Sequence, residues 1–213
     1  ISSGIERGNR MKESVILYIH GQGGSAEEAA HYAPLFKNCD VIGLDYHAQT
    51  PWEAREEFPR LFDEICGQYK SATVIANSIG AFFAMHALPD KKIEKAYFIS
   101  PVVDMQKLIE DMMGWANVSE VELREKGEIE TSFGQTLSWE YLSYAKTHPV
   151  DWPIPTHILY GSKEHLTSFA TISTFAEQIG TTLTVMDGGE HWFHTAEQMQ
   201  FLDAWISEEN HYV

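Results

Sequence analysis

Short runs of apolar and β-branched residues alternate along the chain with longer stretches of helical periodicity. The runs have the length of strands, and their apolar residues are mostly consecutive rather than alternating with polar ones, which predicts strands buried on both faces. They are SVILYI (14–19), DVIGLD (40–45), SATVIAN (71–77), KAYFIS (95–100), PTHILYG (155–161) and TTLTVMDG (181–188). Strands of this kind are typical of a parallel sheet that is covered by helices on both sides.

Helical patterns fill the spaces between these runs. The predicted helices are SAEEAAHYAPLF (25–36), WEAREEFPRLFDEICGQY (52–69), IGAFFAMHAL (79–88), TSFATISTFAEQIG (167–180) and FHTAEQMQFLDAWISEE (193–209). Pro59 lies inside the second pattern, and because proline has no backbone N–H we predict that it kinks or divides that helix. Strands and helices that alternate through short connections predict an α/β protein with a doubly wound, mostly parallel sheet.

Residues 102–152 interrupt the alternation. They contain the amphipathic patterns DMQKLIEDMMGWA and TLSWEYLSYAKTH, separated by a polar stretch, and no run that we interpret as a strand. Connections of this length inside a compact domain usually have a function of their own. We therefore predict that this insert forms a short helical lid.

Length and composition favour one globular domain. With 213 residues and 44% hydrophobic residues, the chain can bury one large core, which we assign to residues 11–213. We interpret residues 1–10, ISSGIERGNR, as an expression-tag remnant ahead of a native start at Met11. Cys39 and Cys66 have neither metal-ligand spacing nor the pattern of a disulfide framework, which is expected of reduced cysteines in a cytoplasmic protein.

Charge excludes several classes of partner. The formal net charge of −16 argues against binding to nucleic acid or to an anionic membrane surface. No apolar stretch approaches the roughly 18 residues that a membrane-spanning helix needs, so we expect no stable insertion into a membrane.

A serine ends the third apolar run, in the sequence TVIANSIG. Ser78 follows a predicted strand and precedes a predicted helix, with Ala76 and Gly80 two positions to either side. A nucleophile elbow holds its serine on such a strained turn, and larger side chains at those two positions would collide with the neighbouring elements. The alternative interpretation is a serine that only caps the following helix.

A nucleophilic serine needs a histidine base, and in elbows of this type the histidine follows the serine and the acid along the chain. His191 satisfies this order, because it lies in the glycine-rich segment DGGEH after the last predicted strand. His194 is its main competitor. Six histidines precede or accompany the serine, or lie at the end of the insert or inside a strand: His20, His31, His47, His86, His148 and His157. His165 and His211 also remain, and the position directly after the last strand favours His191 over both.

An acid is required to orient the histidine. Glu164 lies in the loop that follows the run PTHILYG and is our first choice, because the loop can accommodate a side chain one methylene longer than aspartate. Asp104, which follows the preceding strand in SPVVDM, satisfies the same order and remains the alternative. Asp187 is a weaker candidate.

Two backbone amides are expected to form an oxyanion hole. One is that of Ile79, directly after the serine, and the other is that of Gln22 in the loop HGQGGS after the first strand. Glycine-rich loops also bind phosphates, but this one has neither the G-x-G-x-x-G spacing nor the lysine of a P-loop. We therefore expect no nucleotide here.

Four motifs in this order, HGQGG, ANSIG, LYGSKE and GGEHW, resemble those of the α/β-hydrolase superfamily. Within it the chain is similar to small bacterial serine esterases and lysophospholipase-like hydrolases. The resemblance implies an α/β-hydrolase fold with a short helical lid, acyl transfer through Ser78, Glu164 and His191, and neither cofactor nor metal. Ala76 departs from the usual glycine of the elbow, and Glu164 departs from the usual aspartate.

Apolar and aromatic residues of the insert, among them Met112, Trp115 and Trp139, are expected to contact a small or medium apolar acyl group of a small-molecule ester. A carboxylester hydrolase is the leading hypothesis. A peptidase or amidase with the same catalytic residues is the second, and a non-catalytic ligand-binding protein is the third. The sequence does not specify the oligomeric state or the substrate.

Overall fold

A computed structural model describes residues 11–210, so that the interpretation of residues 1–10, like His211, lies outside the described residues. Six parallel strands form the central sheet: β1 (Ser14–Ile19), β2 (Cys39–Gly43), β3 (Ser71–Asn77), β4 (Lys95–Ile99), β7 (Thr156–Gly161) and β8 (Thr182–Met186). Their spatial order is β2-β1-β3-β4-β7-β8.

Helices cover both faces of this sheet. They are α1 (Pro51–Cys66), α2 (Ile79–Ala87), α3 (Met105–Ala116), α4 (Glu120–Lys126), α5 (Trp139–Thr147), α6 (Phe169–Ile179) and α7 (Ala196–Asn210). The larger core contains buried residues of α1, α2, α3 and α6, whereas α7 and the segment after β1 pack on the opposite face. The predicted doubly wound α/β architecture is thereby confirmed. Within residues 11–210, no helix is long and apolar enough to cross a membrane.

One helical prediction was wrong, and one of the two outcomes predicted for Pro59 does not occur. The pattern at 25–36 forms two short 3₁₀ helices, Ala26–His31 and Ala33–Leu35, in place of one longer helix. Pro59 does not divide α1, which is a single helix. The hydrogen bond that Pro59 cannot donate is offset by the buried face of the helix, where Phe58 is fully inaccessible to solvent.

The insert is only partly helical. Besides α3, α4 and α5 it contains an antiparallel hairpin of β5 (Glu128–Glu130) and β6 (Thr136–Ser138), where no strand was predicted. Each strand has three residues, too few for a periodic signal in the sequence. Residues of the insert, among them Leu137 of β6, line a cavity that reaches Ser78 at the carboxyl end of β3.

Candidate active site

Ser78 lies at the turn between β3 and α2, with φ 51° and ψ −118°. A positive φ is unusual for a residue other than glycine and has to be maintained by the surroundings. Three hydrogen bonds hold this backbone in place. Ser78 N donates to the Ile99 carbonyl at 3.0 Å, and the Ser78 carbonyl accepts from Val102 N at 3.1 Å and from Ala81 N at 3.2 Å. The hydroxyl caps no backbone amide of α2, so the helix-cap interpretation does not apply.

The spacing around this turn explains which flanking residue must be glycine. A Cβ on Gly80 would lie 2.4 Å from the backbone oxygen of His20, so no side chain fits there without moving the backbone. Ala76 is an ordinary residue of β3, and its methyl group is completely buried in the core. The departure of Ala76 from glycine is therefore accommodated without strain at the turn.

Ser78, His191 and Glu164 form one chain of hydrogen bonds. Ser78 Oγ lies 2.9 Å from His191 Nε2, and His191 Nδ1 lies 2.5 Å from Glu164 Oε1. A neutral imidazole with its proton on Nδ1 donates to the glutamate and leaves the Nε2 lone pair to accept the serine proton. This arrangement allows a histidine to act as a general base toward a hydroxyl group.

The side chain of Glu164 is completely buried. Its second oxygen, Oε2, accepts hydrogen bonds from the backbone amides of His165 at 2.9 Å and Leu166 at 3.2 Å. These bonds fix the carboxylate and leave Oε1 directed at the imidazole. Asp104, the alternative acid, instead caps α3, where its Oδ1 accepts from Lys107 N at 3.0 Å.

His194, the competing histidine, points elsewhere. Its Nδ1 bonds to the Trp192 carbonyl at 2.8 Å, and its ring stacks on that of Trp192. Asp187 accepts from Ser162 Oγ at 3.4 Å, away from the imidazole. Of the candidates that satisfy the chain order, His191 contacts Ser78 and Glu164 contacts His191.

Gln22 and Ile79 both line the cavity that reaches Ser78. Neither backbone N–H donates a hydrogen bond to another residue within 11–210. A turn closed by Gly24 N donating to the Gly21 carbonyl shapes the loop of Gln22. The side chain of Gln22 accepts from Gln135 Nε2 of the hairpin at 3.3 Å, which connects this loop to the insert.

An apolar cavity of about 550 Å³ extends from Ser78 beneath the insert. Met112 and Trp115 line it, as the sequence predicted, together with other residues of the insert: Met105, Leu108, Ile109, Phe133, Leu137 and Tyr141. Trp139 does not line it, which corrects that prediction. Its ring lies 5.9 Å from the Arg124 guanidinium and 5.7 Å from Lys146 Nζ, where it packs against these two cations.

A second cavity, of about 480 Å³, contains both Ser78 and His191. Glu28, Tyr32, Asn77 and Trp192 are among the residues that line it, and sequence reasoning identified none of them. In the sequence, Glu28 resembles any exposed acid of the segment SAEEAAH. Its position just after the glycine-rich loop is the one feature that could have indicated a place near Ser78. The site thus has one apolar and one more polar compartment.

Metal ligands are not grouped in the described residues: within 11–210 no three His, Cys, Asp or Glu residues are arranged to hold an ion.

Comparison with known proteins identifies no matching family model and no matching curated protein. Solved structures are similar over nearly the whole chain. Est1E from Butyrivibrio proteoclasticus is 16% identical with a TM-score of 0.73, covering 95% of this chain and 88% of that chain. The α/β-hydrolase domain-containing protein 10 from mouse is 15% identical with a TM-score of 0.77, covering 95% of this chain and 92% of that chain. A lipase-esterase related protein from Clostridium acetobutylicum is 15% identical with a TM-score of 0.62, covering 94% of this chain and 96% of that chain. At these identities the comparison establishes the fold, and it agrees with the sheet and helices described above.

Proposed function

We propose that this chain, an α/β hydrolase by fold, is a serine hydrolase that cleaves carboxylic esters through an acyl-serine intermediate. The observation that carries the proposal is the continuous chain of hydrogen bonds from Ser78 through His191 to Glu164, on a residue with φ 51°. Strained backbone of this kind persists only where surrounding structure maintains it, and here it directs a hydroxyl toward a base.

In the first step, Ser78 Oγ attacks the ester carbonyl carbon while its proton moves to His191 Nε2. Glu164 stabilises the imidazolium through the bond to Nδ1, and the amides of Gln22 and Ile79 donate to the oxyanion. The bond from carbon to the alcohol oxygen then breaks, and His191 returns the proton to the leaving oxygen. Water repeats the sequence on the acyl-enzyme, which releases the acid and restores the Ser78 hydroxyl.

The apolar cavity suits the acyl group. Its volume of about 550 Å³ lies in the range of small-molecule sites, and its lining of methionine, leucine and aromatic side chains favours an apolar or aromatic acid. Est1E has been solved with ferulic acid, an aromatic acid, bound. That observation concerns Est1E alone, but it makes aryl-substituted acids reasonable first substrates.

Fluorophosphonate labelling tests the activated serine. We expect the wild type to gain one adduct by intact mass, and Ser78→Ala to gain none, since the reagent reacts only with a serine whose proton is removed by a base. Ser207→Ala, which removes a half-buried serine of α7, is the matched control and should label like the wild type. An unlabelled wild type, or a labelled Ser78→Ala protein, would contradict the proposal.

Substrate comparison separates ester from amide cleavage. We expect turnover of p-nitrophenyl esters and none of aminoacyl anilides under the same conditions. Faster cleavage of anilides would instead support the peptidase or amidase hypothesis, for which the same three residues would serve.

A further inference from the structure

Of the two cavities that reach Ser78, the second is the one that His191 also lines. His191 must return a proton to the leaving oxygen, so the alcohol lies beside the imidazole. His191 lines the cavity of about 480 Å³, whereas the residues that line the apolar cavity under the insert include Ser78 but not His191. The acyl group and the alcohol are therefore assigned to different compartments on the two sides of Ser78.

One carboxylate faces this second compartment and is held in a fixed position. Glu28 Oε1 accepts a hydrogen bond from Tyr18 Oη at 2.6 Å, and Tyr18 Oη accepts one from Asn77 Nδ2 at 2.7 Å. Tyr18 is only 1% exposed. Burial, reinforced by the neighbouring Tyr32 and by Glu28, raises the pKa of Tyr18 far above its usual range. The phenol therefore keeps its proton and directs it at Glu28.

Gly24 limits the carboxylate from the other side. A Cβ at Gly24 would lie 2.9 Å from Glu28 Oε2 and 3.0 Å from Oε1, so the carboxylate packs where a side chain would otherwise lie. The glycine-rich loop thus serves the approach of Glu28 as well as that of the oxyanion. Among residues 11–210, Oε2 has no hydrogen-bond donor.

No lysine or arginine is among the described residues that line this compartment, so no cation neutralises Glu28 there. Its remaining walls are largely apolar and aromatic, with Phe193, Met199 and Leu202 at one side and the 70% exposed Trp192 at the mouth. A carboxylate with one oxygen fixed and one without a donor recognises O–H or N–H groups, and bonds to a charged acceptor are stronger than neutral ones.

We propose that Glu28 is a specificity-determining residue that selects esters whose alcohol carries a hydrogen-bond donor, a hydroxyl or a protonated amine, close to the ester oxygen. This inference rests on the proposed function of Ser78. Tyr18 and Asn77 act as positioning residues, because they hold the Glu28 carboxylate in the compartment that contains His191.

The test compares three esters of one aryl-substituted acid, formed with propanol, ethylene glycol and 2-(dimethylamino)ethanol. The propyl and 2-hydroxyethyl esters have nearly the same shape and differ by a terminal methyl against a hydroxyl. The measured quantity is the ratio of kcat/KM for each donor-bearing ester to that for the propyl ester. We expect Glu28→Gln to lower this ratio by roughly 10- to 100-fold, the range for a lost bond to a charged acceptor.

Glu27→Gln is the matched control, because Glu27 is the adjacent exposed acid and does not line the compartment. It should keep the wild-type ratios. A larger loss for the amino ester than for the hydroxyl ester in Glu28→Gln would assign recognition mainly to charge, and equal losses would assign it to the hydrogen bond. Tyr18→Phe should lower the ratios in part, and in combination with Glu28→Gln it should add no further loss.

Failure of this inference and failure of the proposed function give different results. Unchanged ratios in an active Glu28→Gln enzyme would overturn the role of Glu28 and leave Ser78 as the nucleophile. A wild type that neither labels with fluorophosphonate nor cleaves any of the esters would overturn both. Labelling without cleavage of any of the three esters would overturn the inference alone.

Discussion

The fit of Glu164 at the active site depends on the length of its side chain and on the backbone of its loop. The side chain is one methylene longer than aspartate, and the loop after β7 folds so that Oε2 accepts from the amides of His165 and Leu166. Those bonds occupy Oε2, and Oε1 lies 2.5 Å from His191 Nδ1. The longer side chain is thus accommodated by the loop while the contact with the imidazole is kept.

Replacing this carboxylate tests the role of Glu164 at the scale of one residue. Glu164→Gln keeps the shape but places an amide against Nδ1, which favours the wrong imidazole tautomer, and kcat for a p-nitrophenyl ester should fall by roughly 10³- to 10⁴-fold. Steady-state kinetics give the value, and thermal unfolding reports whether the fold is intact.

Asp104→Asn is the control for that substitution, because asparagine caps a helix as well as aspartate does. Its kcat should stay close to that of the wild type. A comparable loss of kcat in Asp104→Asn, with activity retained in Glu164→Gln, would assign the acid to Asp104 after all.

Residues differ in how far the sequence could identify them. Ser78 and His191 follow from small neighbours, an adjacent strand and chain order, which are all readable along the chain. Glu28 could not be identified in this way, because its carboxylate is positioned by Tyr18 and Gly24, and these contacts form only in the folded chain. Trp139 was misassigned for the same reason: helical spacing indicates a face, but not which neighbours that face contacts.

At the scale of elements, the strands were the most predictable part of the molecule. The predicted ranges 14–19 and 71–77 coincide with β1 and β3, because strands in the middle of a parallel sheet are apolar on both faces and their ends are sharp. Pro59 in α1 and the hairpin of the insert were not predictable, since tertiary packing decides both. A local rule for proline describes the cost of the missing hydrogen bond but not the burial that compensates for it.

The insert supplies one wall of the apolar compartment, so a larger side chain there should change acyl-chain selectivity. Met112→Trp in α3 would fill part of the cavity beside Ser78. We expect kcat/KM for p-nitrophenyl octanoate to fall by roughly 10-fold or more relative to p-nitrophenyl acetate, in line with the effect of lost space in an apolar pocket.

Val121→Trp is the control, because Val121 is exposed on α4 of the same insert and does not line the cavity. It should leave the octanoate-to-acetate ratio unchanged. If Met112→Trp also leaves that ratio unchanged, the acyl chain does not occupy the compartment beneath the insert.

At the scale of the whole molecule, the insert is joined to the sheet-covering helices around His86. His86 of α2 packs against Tyr144 of α5, which also accepts a hydrogen bond from Arg55 of α1 at 3.2 Å and stacks on His148 at 3.8 Å. His86 Nε2 is buried without a hydrogen-bond partner among the described residues. Burial first, and then electrostatic repulsion from Arg55 and His148, lower the pKa of His86 to about 4.

This junction should make the free energy of unfolding depend on pH. Between pH 6.5 and 4 the unfolded chain protonates His86 while the folded protein keeps it neutral, so stability is lost as pH falls through this window. His86→Phe keeps an aromatic ring but cannot titrate. Measured by urea unfolding, the free energy of unfolding of this variant should fall by about 1–3 kcal/mol less than that of the wild type across the window.

His47→Gln, which removes an exposed histidine, is the control and should retain the pH dependence of the wild type. If His86→Phe loses as much stability as the wild type, His86 binds its proton equally well in the folded and the unfolded chain and does not contribute this dependence.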